Sequence, residues 1–204
     1  MSFKKNKYKV LKKVLDKNFS EFLFNYFINK RYLTYILLQH RYINPHEGMF
    51  GTFTDPQVPN TYSIYSDTVF ETLLQHIKPI MEKAVGFELV PNYSYGRVYK
   101  KGDVLRRHKD RMACDISTTL NLGGQNWPIY LEPSGEEGKK GIKVDLNPGD
   151  MLIYKGCDLE HWRESFKGVD CAQVFLHYNK KGKNAIKFDD RPMLGLPEFF
   201  KNKK

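Results

Sequence analysis

The chain has 204 residues, with 33 Lys and Arg against 23 Asp and Glu, a formal charge of +10. Its length fits one domain with a full hydrophobic core, and 41% hydrophobic with 14% aromatic residues exclude a disordered chain. No apolar run approaches the roughly eighteen residues that a membrane-crossing helix needs.

The charge lies at the ends. Residues 1–18 carry seven Lys and one Asp, residues 201–204 carry three Lys, and everything between sums to about +1. The start, MSFKKNKYKVLKKVL, lacks the long apolar stretch of a secretion signal. Both termini read as solubilising tails or non-specific anchors, the route by which nucleic acid would be a partner. A first helix is predicted from about Asn18 to Gln39, capped by Asn18 or Ser20 ahead of Glu21. The segment PHEGMFGTFTDPQVPN follows as a long loop. A second helix is predicted over Asp67 to Val85, where Val69, Leu73, Leu74, His76, Ile77, Ile80 and Met81 recur near 3.6 residues and Gly86 stands ready as C-cap.

From Tyr93 the texture changes. YSYGRVYK, ISTTLNLG, PIYLEP, IKVDLN, DMLIYKG, HWRESF and CAQVFLHYN are short β-branched or aromatic runs separated by turn residues. The predicted class is α+β: a double-stranded β-helix, or jelly roll, with N-terminal supporting helices. One domain is expected over 1–204, with helical support and loop in 1–92, the jelly-roll core in 93–180 and a C-terminal extension in 181–204. Cys114, Cys157 and Cys171 form no paired framework and no CxxC, which suits the reduced thiols of a cytoplasmic protein.

Within the strand-rich half, His108-Lys109-Asp110 is answered by His161. Two imidazoles and a carboxylate are the donor set that holds Fe(II) on one face and leaves the other positions open. On an extended strand i and i+2 share a side, so His108 and Asp110 could reach one metal while Arg107, Lys109 and Arg111 turn away. The second half also carries Asn147-Pro148-Gly149-Asp150, a tight turn launching MLIYKG, shortly before His161.

The order Tyr…G-D…H-x-D…S-T-T-L-N-L…P-G-D-x-L-x-Y…H, over Tyr93 to Tyr178, resembles the Fe(II)/2-oxoglutarate dioxygenase superfamily. The likeness is greatest to prolyl-4-hydroxylase-like members, particularly the small stand-alone forms carried by bacteriophages, for which host cytoplasm would be the location. The resemblance implies His108, Asp110 and His161 as iron ligands, 2-oxoglutarate as co-substrate and ascorbate as a supporting reductant. Related enzymes that have Ala or Gly for the carboxylate are halogenases, so Asp110 favours hydroxylation or demethylation. Tyr99 sits where the family often places a tyrosine on the oxo-acid.

The family's usual Arg or Lys, nine or ten residues after the second His, is missing: those positions are Asp170 and Cys171. Arg163, on the strand face of His161, and Lys167, in the following loop, are the replacements to weigh, with Thr119 and Asn121 as further hydrogen-bonding partners of the oxo-acid. Gln173 and His177 read as satisfied core residues or pocket lining, and His40, His46 and His76 as surface residues. Gly48–Tyr62 and Ser134–Gly141 are the expected lids. The expected substrate is a protein or peptide. A nucleic-acid-modifying oxygenase, or a jelly-roll binding module without turnover, are the alternatives.

Overall fold

The structure, a computed structural model, describes residues 3–201. In chain order the elements are α1 (Phe3–Asn6), β1 (Tyr8–Leu11), α2 (Lys17–Gln39), β2 (Tyr62–Tyr65), α3 (Thr68–Val85), β3 (Leu89–Lys100), β4 (Leu105–His108), β5 (Ile116–Gly124), β6 (Ile129–Leu131), β7 (Ile142–Val144), β8 (Met151–Tyr154), β9 (His161–Arg163) and β10 (Asp170–Lys180), with three short 3-10 turns besides. The strands form two antiparallel sheets: a six-stranded one ordered β1-β8-β5-β10-β3-β2 and a four-stranded one ordered β4-β9-β6-β7. This is the expected jelly-roll architecture, with α2 and α3 covering the outer face of the larger sheet.

The period of two along each strand sorts the side chains into layers. On β5, Ile116, Leu120 and Leu122 join the core beneath the helices, and on β10 Ala172, Val174, Leu176 and Tyr178 do the same. Ser117, Thr119 and Asn121, with Cys171, Gln173, Phe175 and His177, therefore face the smaller sheet. Ile129, Leu131 and Val144 of that sheet pack on Leu152 and Tyr154 between the layers.

Helix α2 buries Ser20, Leu23, Phe27 and Thr34 on one face. Phe27 meets Phe70 edge-on at 4.8 Å and Tyr62 at 5.6 Å. Gly96 of β3 makes that fit possible, since a Cβ there would stand 2.7 Å from the Phe27 ring.

Three expectations are corrected. The cap of α2 is Asp16, whose carboxylate accepts from Phe19 N at 2.9 Å; Asn18 and Ser20 lie inside the helix, and the Ser20 hydroxyl donates to Leu122 O. The lysine-rich N-terminus is no free tail, because Tyr8–Leu11 pairs with β8 as the edge of the larger sheet. Lysines blunt such an edge against further pairing, which is a reason for them to be there. Finally, Lys201 is tied to Asp189 at 2.8 Å; residues 202–204 lie outside the described residues. The second helix is as expected, with Asp67 as N-cap and Gly86 at φ 80° as C-cap.

Asn147-Pro148-Gly149-Asp150 forms the expected turn. Asn121 O accepts from Gly149 N and Asn121 N donates to Asp150 O, while the Asp150 carboxylate accepts from Lys12 Nζ and Lys13 N. No helix among the described residues is long and apolar enough to cross a membrane.

Candidate metal centre

His108 closes β4 and His161 opens β9, and the two stand opposite each other in the ladder. Asp110 lies beyond the end of β4, where its N–H donates to Gly156 O at 2.9 Å. The H-x-D segment thus leaves a strand and does not begin one, and a turn rather than the pleat brings Asp110 round. Donor atoms of His108, Asp110 and His161 all lie within 4.8 Å of one another.

The protonation pattern suits a metal. His108 Nδ1 is 2.8 Å from Arg106 O and His161 Nδ1 is 3.1 Å from Leu159 O. A carbonyl only accepts, so each Nδ1 carries the hydrogen and each Nε2 offers a lone pair inward. Asp110 Oδ1 lies 3.4 Å from His161 Nε2 and 3.7 Å from His108 Nε2. Burial, and then the neighbouring His161, push His108 below the usual imidazole range. Burial by itself would raise the Asp110 carboxyl, but the neighbouring His161 and His177 and the hydrogen bond from Ser117 outweigh it and hold Asp110 well below the usual carboxylate range. Neutral imidazoles and an ionised carboxylate are the forms that ligate. Gln57 donates its amide to His108 Nε2 at 3.2 Å.

The three face a cavity of about 330 Å³. Tyr99 lies in its wall, fully buried, edge-on to Trp127 at 4.7 Å. Arg163 is 1% exposed on β9. Its Nη2 donates to Thr119 Oγ1 at 3.2 Å and its Nη1 to Trp127 O, while its Nε has no partner. Arg163 is therefore no surface cation, and Glu160 beside it in sequence pairs with Arg107. Thr119 also donates to Gln173 Oε1 at 3.1 Å. Tyr99, Trp127, Arg163 and Thr119 are thus one buried cluster. Asn121 is held elsewhere: its Nδ2 donates to Leu146 O and its Oδ1 accepts from Gly123 N. Lys167 is exposed and lines a surface groove with Asn126 and Pro128, away from the metal cavity.

Of the three basic residues expected to turn away, only Arg107 does, stacked 4.2 Å over Trp162. Lys109 and Arg111 line the metal cavity, because alternation no longer applies once the chain has left β4. Arg111 is clamped by both oxygens of Asp189, at 3.0 and 2.7 Å, and lies over Tyr93. His177 stacks on Tyr93 with ring centroids 4.5 Å apart and lines the same cavity, and burial pushes it down to about 4. His40, His46 and His76 are exposed.

Arg97 escaped the sequence reading. It is 1% exposed on β3, in the cavity wall, with Nη1 donating to Gln57 Oε1 at 3.0 Å and Nη2 paired with Asp55. The signal was present in YSYGRVY, where Tyr93, Tyr95, Arg97 and Tyr99 share one face and a cation interrupts the aromatics. Asp55 and Gln57 both come from the long loop before β2, one of the two segments expected to be lids.

No protein-family model matches this sequence, and no curated protein matches it either. The fold is shared with a class of solved structures that includes Fe(II)/2-oxoglutarate oxygenases. A Pseudomonas putida prolyl-4-hydroxylase is similar with a TM-score of 0.60 and 11% identity, over 88% of this chain and 96% of that one. EctD from S. alaskensis with bound Fe gives 0.64 and 16%, over 95% and 80%. HygX from Streptomyces hygroscopicus with nickel and 2-oxoglutarate bound gives 0.62 and 14%, over 88% and 85%. At such identities the likeness establishes the fold.

Proposed function

We propose that this protein is an Fe(II)- and 2-oxoglutarate-dependent oxygenase that hydroxylates a protein or peptide substrate. The observation that carries the reading is the convergence of two imidazole Nε2 lone pairs and one carboxylate on a cavity, with both tautomers set by backbone carbonyls. His108, Asp110 and His161 would hold the iron. When bound, iron and the oxo-acid supply the oxidising power, the oxo-acid ending as succinate and carbon dioxide.

The chain's own residues bind and orient. Arg163 would take the far carboxylate of the oxo-acid, with Thr119 and Tyr99 beside it. A guanidinium so deeply buried without an acidic partner among the described residues is costly, and an incoming carboxylate would compensate it. Arg97, by contrast, is already neutralised by Asp55. The loop carrying Asp55 and Gln57 would shield the reacting centre from water.

A peptide substrate is favoured by the prolyl-4-hydroxylase likeness, though the same fold serves other substrates. Nucleic acid is less well supported, because part of the lysine-rich N-terminus is a sheet edge. The experiment is anaerobic titration of the Fe(II)-loaded protein with 2-oxoglutarate. A visible metal-to-ligand charge-transfer band is expected; iron bound without that band would overturn the oxo-acid reading and return the binding module to consideration.

A further inference from the structure

Ser117 and His177 face each other across the β5–β10 ladder, both buried and both turned toward the metal centre. Ser117 Oγ lies 2.6 Å from Asp110 Oδ2, 3.1 Å from His177 Nδ1 and 3.1 Å from Cys114 O. A hydroxyl has one proton. The short contact to an ionised carboxylate takes it, since charge-assisted bonds are the stronger ones. Cys114 O, itself an acceptor, then makes no hydrogen bond to Ser117. The remaining polar contact works only if His177 Nδ1–H donates to the serine oxygen. The direction of the chain is therefore fixed: His177 Nδ1–H to Ser117 Oγ–H to Asp110 Oδ2.

This arrangement divides the two oxygens of Asp110. Oδ2 is held by Ser117, while Oδ1 faces His161 Nε2 and His108 Nε2. His177 is kept in plane for its donation by stacking on Tyr93, with the rings inclined by 29°.

We propose that Ser117 and His177 are positioning residues that hold the Asp110 carboxylate so that its Oδ1 is the oxygen turned toward the metal position. The inference rests on the metal-centre reading above and adds to it. If the serine were lost, the carboxylate would be free to turn, and Oδ1 would no longer be held toward His161 and His108.

The test uses Co(II) as probe, titrated into the whole protein and followed by its visible absorption, for the parent and for Ser117→Ala, Ser117→Thr and His177→Leu. Ser117→Ala should lose about 10–100-fold in Co(II) affinity, the usual cost of removing a group that orients a metal ligand, with an altered Co(II) spectrum and an intact thermal transition. Ser117→Thr keeps the hydroxyl on a strand that suits a β-branched residue and should restore both affinity and spectrum. His177→Leu, which leaves the serine but removes its orienting donor, should shift both in the same direction by less. It carries the test should Ser117→Ala fail to fold.

A Ser117→Ala protein within two-fold of the parent and with an unchanged spectrum overturns the proposal. So does a Ser117→Thr protein as impaired as Ser117→Ala, because packing would then explain the loss. Failure of the parent itself to bind Co(II) is a different result, and it sinks the metal-centre reading on which the proposal stands.

Discussion

Gly156 offers a sharp perturbation of the metal centre from outside its ligand set. A Cβ at this position would overlap Asp110 Oδ2, stand 2.5 Å from Ser117 Oγ and 2.8 Å from Cys114 O. Its φ is not in the left-handed region, so alanine meets no backbone penalty and the effect of Gly156→Ala is steric. The Cys114 carbonyl belongs to the backbone and yields little; the Asp110 carboxylate can rotate and will. Overpacking of this kind costs about 1–3 kcal/mol, which for a chain of this size lowers Tm by roughly 2–12 °C. Stabilities of about 5–15 kcal/mol absorb that loss, so the protein should stay folded. The ligand oxygen, however, is moved, and Co(II) affinity should fall by about 10–100-fold. Thermal denaturation and Co(II) titration on the same preparation separate the two effects. A Gly156→Ala protein that binds Co(II) within two-fold of the parent would refute the reasoning, since the carboxylate would then tolerate displacement.

Asp110→Ala should abolish iron-dependent turnover and Fe(II) retention while leaving the far-ultraviolet circular dichroism unchanged; full activity in that variant would dispose of the triad. Arg163→Met should weaken 2-oxoglutarate, followed by the charge-transfer band, by about 10–150-fold, the equivalent of a charged hydrogen bond of about 1.5–3 kcal/mol, with Fe(II) binding little altered. Unchanged oxo-acid affinity would transfer the anchor to Arg97. Arg191→Met breaks a pair in which Arg191 Nη2 meets Glu71 Oε1 at 2.7 Å, with side chains 0% and 1% exposed. Stranding a buried carboxylate costs about 3–5 kcal/mol, or a Tm lower by roughly 6–20 °C; a melt within 2 °C of the parent would show that Glu71 is neutral or solvated.

The candidate metal ligands were legible because their residue types are chemically restrictive and their order suits the fold. The same holds for α3, whose cap residues and apolar period agree. What the sequence concealed were contacts made by chain reversal. Nothing in YKVL says that four residues among seven lysines form a sheet edge; that depends on β8 having a free side. Asp16 won the cap over Asn18 and Ser20 because its carboxylate reaches Phe19 N, whereas Ser20 is drawn to Leu122 O. Strand alternation does not extend to Lys109 and Arg111, which lie beyond the end of β4, and both line the cavity. His177 was readable as a satisfied core histidine, and it is one. Its satisfaction comes through Ser117, sixty residues away, so its link to Asp110 could not be read from spacing.

On β10 the positions where the resemblance leads one to expect a cation hold Asp170 and Cys171. The inward residues of β10 are Cys171, Gln173, Phe175 and His177, none of them a permanent cation. Gln173 is in register with Arg97 on β3 and is bonded to Thr119, which in turn accepts from Arg163 on β9. Positive charge is therefore carried near β10 by two other strands, Arg97 in the cavity wall and Arg163 bonded to Thr119. Recognition of a carboxylate depends on where donors and charge end up, not on which strand supplies them. The two arginines are not equivalent. Both have an Nε without a partner, and an unmet buried donor costs about 1–3 kcal/mol. Arg97 has the Asp55 carboxylate against it, whereas Arg163 has only the neutral acceptors Trp127 O and Thr119 Oγ1. A buried guanidinium faced by neutral oxygens keeps its attraction for an anion, and one already paired has lost most of it. On that ground Arg163, rather than Arg97, is the residue whose removal should be felt by the oxo-acid.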